Sequence, residues 1–370
     1  MPIYMDLHIV DGITAKGAAE AHLQDLLIQA QYNCTCMTYW VDESKNSAFC
    51  LIDAPNREAV KELHNKAHGL ITHQIIEVAS TVVESFLGRI YDPESTELLE
   101  GKLKVFNDPA FRTLLLIQTI DPILLVNNVG KDKCDDLLVR YQQMLAASCR
   151  EFEGKIADQY ENISIISFVT AFKAVAHALK LQDAFSNEEK ELLQLKISIN
   201  AGVPVTKSER LFGDTIQAGE RMLLVGKKYQ IAAASIIKEI HNKNHFKQQQ
   251  DSIFTLTITD EKRLNQLINV LEQNSGNKSF AVEALCKSMS MSKSSLNRLT
   301  LSLLGKTPNS LINEFRLNKA LQLLRKSGDT IAQISFATGF TSPSYFSKCF
   351  QNHFQITPTR YLELLKEIKK

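Results

Sequence analysis

The first 80 residues alternate short apolar runs with two longer stretches in which apolar residues recur every three or four positions. Short runs rich in β-branched and aromatic residues indicate strands, whereas the longer period indicates an amphipathic helix. Asn56 is predicted to cap the second helix, and Gly69 is placed to end it. The pattern predicts strands over 3–10, 34–41, 48–54 and 75–79, and helices over 14–30 and 57–68.

This β-α-β-β-α-β order is the ferredoxin-like arrangement, so residues 1–80 are predicted to form an α+β domain. Residues 81–110 are interpreted as a connector with helical content. A second module over 111–240 also mixes strands and helices, which predicts an α/β domain. Its predicted elements are a strand at 114–117, a helix at 134–152, a hairpin at 155–168, a helix at 171–181, a strand at 195–201 and a helix at 215–224.

The last third of the chain has only helical periodicity. A polar, aperiodic stretch within 241–259 is the predicted linker, and an all-α domain is predicted over 260–370. This domain repeats one pattern at 282–298 and 331–348: an apolar-periodic helix, a turn, and a second helix rich in polar side chains. Two helix-turn-helix units in one chain can lay two recognition helices into successive major grooves. The sequence therefore predicts a multidomain protein that binds double-stranded DNA.

The side chains expected to meet DNA lie at the start of each second helix, where recognition helices approach base edges. Arg298 and Asn297 have donor geometry suited to guanine and adenine edges, whereas Lys348 is expected to contact phosphate. The alternative for Asn297 and Arg298 is a solvated helix face. We interpret Tyr345, Phe346 and Phe350 as core. The candidate set is Lys293, Ser294, Ser295, Asn297 and Arg298 in the first unit, and Ser342, Pro343, Ser344, Ser347 and Lys348 in the second.

Charge supports this interpretation. From Asp260 onward the chain has 16 Lys+Arg against 8 Asp+Glu, whereas the residues before it have 26 against 33. A basic module attracts phosphate backbones, and the acidic remainder does not resemble a second nucleic-acid platform. The composition, 44% hydrophobic and 22% charged, excludes extended disorder. Seven scattered cysteines and the lack of a long apolar run lead us to expect a cytoplasmic protein without a membrane segment.

The C-terminal 110 residues resemble the AraC-type transcription regulators. This resemblance implies two helix-turn-helix subdomains joined by a long helix around 309–325. Ser335, Phe336 and Gln355 depart from the family pattern at packing and turn positions. The matching residues are Ser292, Leu296, Arg298, Gly305-Lys306-Thr307-Pro308, Arg316-Leu317, Ala320, Leu323-Leu324, Ile331, Ile334, Gly339-Phe340, Ser344-Tyr345-Phe346-Ser347, Phe350, Pro358 and Tyr361.

The middle module resembles the class III nucleotidyl cyclases in Phe152-x-Gly154, in Leu195-x-x-x-Ile199-x-x-Gly202 and in Leu211-Phe212-Gly213-Asp214-Thr215. Cyclisation needs two carboxylates to hold two metal ions. The resemblance places these acids at Thr119 and Asn162, which are not acids. We therefore expect a degenerate cyclase-like domain that is not an enzyme and that dimerises, senses a nucleotide-like ligand or serves as a spacer.

Further positions of the cyclase pattern are also replaced. The base-selecting lysine falls on Asp158, its partner acid on Arg210 and the transition-state asparagine on Gln217, so that only Arg221 is retained. Asp121 lies two residues from the first metal position and matches it only through a slip of register. The alternative, a nucleotidyl cyclase fused to a DNA-binding tail, predicts cyclic nucleotide formation from ATP or GTP.

Histidines concentrate in the first 80 residues, which contain five of the nine. His64 and His68 are four apart on one predicted helix, so both imidazoles can face the same way, as ligation of a first-row metal requires. Two partly satisfied histidines are the alternative. Cys34 and Cys36 are interpreted as strand packing because no further thiols lie near them in the sequence, and Trp40 is interpreted as core.

The first module also resembles a small ferredoxin-like family, some of whose members are described as nickel-binding. The shared segments include Met5-Asp6-x-His8, Thr38-Tyr39-Trp40-x-Asp42-Glu43, Phe49-Cys50-Leu51, Ala54-Pro55 and His64-x-x-x-His68-Gly69-Leu70. The resemblance implies a divalent metal such as nickel on His8, His64 and His68, assisted by Asp6, His22 or Glu43. It also implies pairing of two sheets in a homodimer. We therefore expect a transcription regulator whose N-terminal domains sense a metal or small ligand, dimerise, or do both.

Overall fold

The computed structural model describes residues 1–94, 98–99, 103–225, 231–241, 252–326 and 328–368. Residues 242–251, which make up much of the predicted linker, lie outside the described residues. Among those described, no helix is long and apolar enough to cross a membrane.

The N-terminal module contains strands β1 to β4 and helices α1 and α2. The sheet is antiparallel in the order β2-β3-β1-β4, the ferredoxin-like topology. Asn56 accepts a hydrogen bond from the Ala59 amide at 2.9 Å, which confirms the predicted N-cap. Trp40 is fully buried, as predicted. The elements are β1 Ile3–Ile9, α1 Ala15–Ile28, β2 Thr35–Asp42, β3 Ser47–Asp53, α2 Arg57–Ala67 and β4 Gln74–Val78.

The segment predicted as a connector contains a helix that packs between the two modules. Helix α3, Ser80–Leu87, buries Val83, Phe86 and Leu87 in a core that both modules share. The Ser167 hydroxyl donates a 2.8 Å hydrogen bond to the Phe86 carbonyl. Short strands β5, Leu98–Leu99, and β6, Leu103–Lys104, form a separate two-stranded ladder. The first two modules are therefore held together by side-chain packing through α3.

The middle module is built on a six-stranded sheet. Its four longer strands repeat the N-terminal topology, with two short parallel strands added at one edge, in the order β12-β11-β10-β7-β9-β8. The sequence pattern predicted these elements except α4, α7, β11, α9 and β12. Strand β12 belongs to the sheet of this module, although it lies in the segment predicted as a linker. The elements are β7 Arg112–Gln118, α4 Pro122–Val129, α5 Lys131–Phe152, β8 Lys155–Tyr160, β9 Ile163–Phe168, α6 Ala171–Asp183, α7 Asn187–Leu193, β10 Lys196–Gly202, α8 Gly213–Met222, β11 Ile231–Ala233, α9 Ser235–Ile240 and β12 Ile253–Thr255.

The described residues from 258 onward form helices joined by turns, as predicted. Two short helix pairs, α11 with α12 and α14 with α15, flank the long helix α13. Serine side chains cap both second helices, because Ser292 accepts from the Ser295 amide at 3.2 Å and Ser342 accepts from the Tyr345 amide at 3.1 Å. The elements are α10 Ile258–Asn274, α11 Val282–Ser288, α12 Lys293–Leu304, α13 Pro308–Lys326, α14 Ile331–Ala337, α15 Pro343–Phe354 and α16 Pro358–Ile368.

The two second helices end in the same backbone conformation. Gly305 follows α12 at a φ of 65°, and Gln355 follows α15 at a φ of 59°. Both residues are left-handed, a region that glycine enters without steric cost and that glutamine enters at a cost. Gln355, which departs from the family pattern, therefore retains the turn that glycine usually makes.

The helical region docks on the middle module, and one apolar core runs through both. The Arg221 guanidinium on α8 donates hydrogen bonds to Asn265 at 2.8 Å and Asn269 at 2.6 Å, both on α10. On the opposite side of the contact, Asp121 accepts hydrogen bonds from Arg325 and from the Tyr361 hydroxyl. Apolar packing and charged hydrogen bonds therefore fix the orientation of the helical region.

Candidate metal centre and nucleic-acid interface

A cluster of histidines and aspartates is buried between the sheet and helices of the N-terminal module. Asp6 and His8 are two apart on β1 and so project to the same face. Asp25 comes from α1 and His64 from α2. These four side chains are each at most 2% exposed. Residues from three elements therefore place ionisable groups in a site from which water is largely excluded.

His64 lies at the centre of the cluster, between two carboxylates. Its Nε2 is 2.7 Å from Asp6 Oδ2, and its Nδ1 is 3.1 Å from Asp25 Oδ1. Burial alone would lower the pKa of His64, but the two carboxylates together raise it to about 10. His64 is therefore an imidazolium that donates a hydrogen bond from each nitrogen.

The two aspartates remain ionised for the same reason. Burial would raise the pKa of each carboxyl, yet the neighbouring histidines outweigh burial and lower it: His8 and His64 for Asp6, and His64 and His68 for Asp25. Asp6 also accepts a 3.0 Å hydrogen bond from the Cys50 amide through its second oxygen. The site therefore combines two carboxylates with one fixed cation, which leaves a negative charge when His8 and His68 are neutral.

His8 has a nitrogen available for ligation. Its Nδ1 is 3.1 Å from the Ile71 carbonyl, which fixes the proton on that nitrogen. Its Nε2 is buried and has no hydrogen-bond partner among the described residues; the nearest carboxylate oxygen, on Asp6, is 3.4 Å away. Metal-ligating histidines commonly donate their other N–H to a backbone carbonyl in this way. A neutral His8 would therefore direct the Nε2 lone pair at the cluster, whereas a protonated His8 would pair with Asp6.

Four potential ligand atoms meet at this point. One atom each from Asp6, His8, Cys50 and His64 lies within 4.8 Å of every other. Burial raises the pKa of the Cys50 thiol well above its usual value, and Asp6 and Asp25 raise it further. Two imidazoles, a carboxylate and a thiol form a mixed donor set that suits a divalent transition metal. The donor chemistry therefore fits the metal that the sequence resemblance implies.

His68 lies at the other side of His64. Its Nδ1 accepts a 3.1 Å hydrogen bond from the Leu70 amide, so in the neutral ring the proton lies on Nε2. That Nε2 is 3.3 Å from Asp25 Oδ1 and 3.0 Å from His64 Nδ1. The structure therefore groups His68 with Asp25 and His64, in a second set next to that of His8.

The structure does not bring His22 and Glu43 into this cluster. His22 Nε2 is 3.7 Å from Asp92, and its ring lies against Tyr39 with 5.2 Å between centroids. Glu43 accepts a 2.6 Å hydrogen bond from the Ala15 amide at the start of α1. His22 therefore occupies a separate polar contact, and Glu43 satisfies a helix terminus.

Sequence reasoning missed Asp25 and Cys50. Asp25 lies on the inward face of α1 with Ala18 and His22. An acid at this helical spacing from a histidine could have indicated a buried polar site. Cys50 was among the residues of the resemblance but has no metal-ligand spacing in the chain. Cys34 and Cys36 are buried in an apolar cluster, as expected for strand packing.

The first candidate recognition helix presents its N-terminal turns to solvent. Lys293, Ser294 and Arg298 are exposed and Asn297 is half-buried, so one face of α12 offers amide, hydroxyl and guanidinium groups. Lys293 Nζ is 3.6 Å from Glu283. Ser295 is half-buried, and its hydroxyl is hydrogen-bonded to Ser292 at the helix cap.

The second candidate recognition helix, α15, is exposed in the same region. Lys348 and Ser344 are exposed, Ser342 and Pro343 begin the helix, and Ser347 is half-buried. Phe346 and Phe350 are fully buried, as predicted for core.

The prediction that Tyr345 is a core residue was wrong, because its side chain is 52% exposed. Its ring contacts Phe340 with 6.1 Å between centroids and otherwise faces outward from α15. Tyr345 thus lies on the outer face beside the candidate DNA-contacting residues.

The positions expected for catalytic acids in the middle module have structural contacts. The Asn162 amide donates a hydrogen bond to the Thr119 carbonyl, and the Thr119 amide donates to the Asn162 carbonyl at 3.0 Å. Asp121 caps α4 through the Ile123 amide at 2.7 Å while it pairs with Arg325. This nearest acid is therefore committed to a helix terminus and an interdomain contact.

Two family models match separate parts of the chain. Residues 285–363 match the model described as "Helix-turn-helix domain", and residues 4–78 match the model described as "Nickel responsive protein SCO4226-like". Together with the regulators to which it is similar, this identifies an AraC-type helix-turn-helix domain at the C-terminus and a domain of the nickel-responsive type at the N-terminus. Neither match reaches the middle module, whose likeness to cyclases remains a prediction.

Relatives share the C-terminal part. A histidine kinase P4 of Formosa agariphila is 39% identical over 30% of this chain and 8% of its own length. An uncharacterised HTH-type transcriptional regulator of Haemophilus influenzae is 30% identical over 37% of this chain and 46% of its own. The chain thus spans less than half the length of either.

A solved structure shares the N-terminal part. SCO4226 from Streptomyces coelicolor A3(2) is 32% identical over 20% of this chain and 94% of its own, with a TM-score of 0.20.

Proposed function

We propose that the protein is a sequence-specific, DNA-binding transcription regulator whose N-terminal module responds to a divalent transition metal, with nickel the first to test. The observation that carries the proposal is the exposure of the N-terminal turns of α12 and α15 in an AraC-type domain docked on the rest of the chain. The proposal includes double-stranded DNA as partner, a homodimer as the working form and the cytoplasm as its location.

The two recognition helices differ in the groups they offer. The side chains of Asn297 and Arg298 on α12 are able to form two hydrogen bonds each with the edge of one base, whereas α15 offers hydroxyls and Lys348. Base contacts specify a sequence, and phosphate contacts fix position and affinity. The first unit is therefore assigned base reading, and the second is assigned mainly contacts with the backbone and with DNA shape.

Selection of binding sites from a random DNA library, followed by titration of the selected site, tests this assignment. Arg298→Ala is expected to lower affinity by about 1–3 kcal/mol and to relax preference at one base position. Lys348→Ala is expected to weaken all sequences alike and to reduce the slope of log affinity against log salt by about 1. An equal loss on all sequences for Arg298→Ala would identify it as a phosphate contact.

The metal part of the proposal assigns Asp6, His8, Cys50 and His64 as ligands. Asp25 then accepts a hydrogen bond from His64 Nδ1–H and holds the ring in place, as carboxylates do behind ligating histidines. A bound divalent cation would replace the proton on His64 Nε2 and stabilise the folded N-terminal module. Equilibrium dialysis of the purified full chain against nickel, zinc, copper and cobalt checks this, and a His8→Leu variant that binds each metal as wild type does would refute the ligand set.

The middle module has no catalytic role in this proposal. The positions matched to the metal-binding acids are Thr119 and Asn162, and neither is a carboxylate. The two residues are instead hydrogen-bonded to each other. Incubation of the purified protein with ATP or GTP and manganese distinguishes a regulator without catalytic activity from a nucleotidyl cyclase. No cyclic nucleotide is expected, and formation of one above background would support the enzyme alternative.

A further inference from the structure

A polar cavity of about 440 Å³ lies between the middle module and the DNA-binding region. One wall comes from the end of β7, the turn between β8 and β9 and the start of β10, with Thr119, Asn162 and Lys196. The opposite wall comes from the DNA-binding region, with Lys306, Glu314 and His353. The volume is within the range of ordinary small-molecule sites, about 300–1,000 Å³. Any molecule held there would touch both regions at once.

Charged groups along the cavity fall into two sets. In the first set, Asp121 and Glu161 line the cavity and pair with Arg325, and Lys326, which lies outside the lining, also pairs with Glu161, so two acids balance two bases. In the second set, Lys306 pairs with Glu314 at 2.6 Å, and Lys196 makes no ion pair among the described residues. The second set therefore carries one more positive than negative charge, even with His353 neutral.

The basic groups of the second set lie close enough to disfavour one another's charge. Lys196 and His353 both keep exposed surface at the cavity. Desolvation by the surrounding protein nevertheless lowers the pKa of Lys196, the Lys306 ammonium lowers it further, and Glu314 opposes both. Desolvation likewise lowers the pKa of His353; Glu314 opposes this, and Lys306 and Lys196 add to it. An anion between these groups would relieve the repulsion and would be held by charge-assisted hydrogen bonds.

Neutral donors and acceptors surround this basic group. The cavity lining includes carboxamides from both regions, among them Gln118, Gln194, Asn318 and Gln322. A cationic ligand is disfavoured, because each lining carboxylate already has a basic partner. The surroundings fit a polar body attached to an anionic group.

We propose that this cavity binds a small organic anion, with its carboxylate or phosphate group between Lys196, Lys306 and His353 and its polar body against the carboxamides. The ligand bridges the middle module and the DNA-binding region, so its binding stabilises the docked arrangement of the two. The binding site stands on its own geometry. Its effect on DNA affinity rests on the proposed function as a regulator.

The test measures anion binding to the whole chain in the absence of DNA. A failure of the proposed regulatory function would therefore not affect its outcome. Sodium phosphate and sodium acetate are titrated to about 50 mM against sodium chloride at equal ionic strength, which saturates a millimolar site. Melting temperature and calorimetry are the readouts. We expect one or both anions to raise the melting temperature above that in chloride. Phosphate alone indicates a phosphate-bearing ligand, and acetate as well indicates a carboxylate.

Lys196→Gln removes the lysine that has no acidic partner. Binding of the responding anion is expected to weaken about tenfold, the effect of losing one charge-assisted contact. Lys207→Gln, an exposed lysine of the same module outside the cavity lining, is the matched control and should bind as wild type does.

Melting temperatures measured in chloride alone show whether Lys196 belongs to a ligand site or stabilises the fold. Lys196→Gln should leave the melting temperature in chloride unchanged or higher, because it relieves repulsion with Lys306. A fall in that temperature, or equal anion responses in wild type and Lys196→Gln, would overturn the proposal. The proposal also fails if neither anion exceeds chloride with the wild-type protein.

Discussion

The N-terminal and middle modules share one strand topology, and in each the helix that follows the third strand buries a histidine, but the two histidines lie in opposite environments. His64 on α2 lies between Asp6 and Asp25, which raise its pKa to about 10. His177 on α6 lies against Phe168 and Phe152, with 5.3 and 6.3 Å between ring centroids, and burial lowers its pKa to about 4. One ring is charged and the other neutral at pH 7.

The difference shows that the shared fold determines where the histidine lies. The neighbouring side chains determine whether its ring is charged or neutral. Both rings are completely buried. In the N-terminal module β1 supplies Asp6 and His8 to the buried face, whereas in the middle module β7, the corresponding strand, supplies Leu115 and Ile117. The first module therefore buries ionised groups at this place, and the second contributes an apolar core that continues into the DNA-binding region.

The largest expected effect is on the free energy of unfolding when His64 is replaced by leucine, compared with the same replacement of His177. His64→Leu removes the cation between two buried carboxylates, and loss of one partner from a buried ion pair costs about 3–5 kcal/mol. His177→Leu replaces a neutral ring among apolar neighbours, and we expect about 1.5 kcal/mol or less. Chemical denaturation at pH 7 measures both. Equal losses would show that the two environments do not differ as described.

Acid should destabilise the middle module through His177. The folded pKa of about 4 lies below the ordinary value of 6.5, so between these values the unfolded chain binds the proton and the folded chain does not. Stability is therefore full above pH 6.5 and falls as the pH drops towards 4, by about 3 kcal/mol. His177→Leu should remove this component, measured as the difference between denaturation midpoints across that pH range. An unchanged pH dependence would mean that the pKa of His177 is the same in the folded and unfolded chains.

Asp25→Asn tests the carboxylate behind His64. Loss of such an outer partner typically lowers metal affinity about 10–100-fold, which corresponds to about 1.4–2.7 kcal/mol. Glu20→Gln on the same helix removes an exposed charge and serves as the control. Competition with a chromophoric chelator measures the affinities. Equal affinities for Asp25→Asn and the control would remove Asp25 from the site.

Much of the fold could be predicted from periodicity, because strands and helices with one buried face carry that face in the sequence. The N-terminal elements and both helix-turn-helix units were predicted in this way. The role of α3 was not predicted, because the burial of Val83 and Phe86 depends on a neighbouring module. The α4 helix, with Leu124 and Leu125 buried and Pro122 at its start, was also missed.

The site could be predicted only in part, for a related reason. His64 and His68 were found because helical spacing places them together. Asp6 and His8 were implied only by the family resemblance, and the structure places them on one face of β1. Asp25 and Cys50 lie on other elements, and their approach to His64 depends on how α1 and β3 pack. The opposite environments of His64 and His177 likewise arise from tertiary neighbours, which spacing along the chain does not report.

The central claim is that metal in the N-terminal module changes DNA binding at the other end of the chain. The direct test is the dissociation constant for a DNA site selected by the protein itself, measured with and without nickel for wild type and His8→Leu. His8 is suited to this test because its Nε2 has no hydrogen-bond partner among the described residues, so the replacement removes one hydrogen bond, from Nδ1 to the Ile71 carbonyl, and the 3.4 Å approach to Asp6. The account predicts a nickel-dependent shift in wild type that is absent from His8→Leu. Bound nickel with an unchanged dissociation constant for DNA would contradict it.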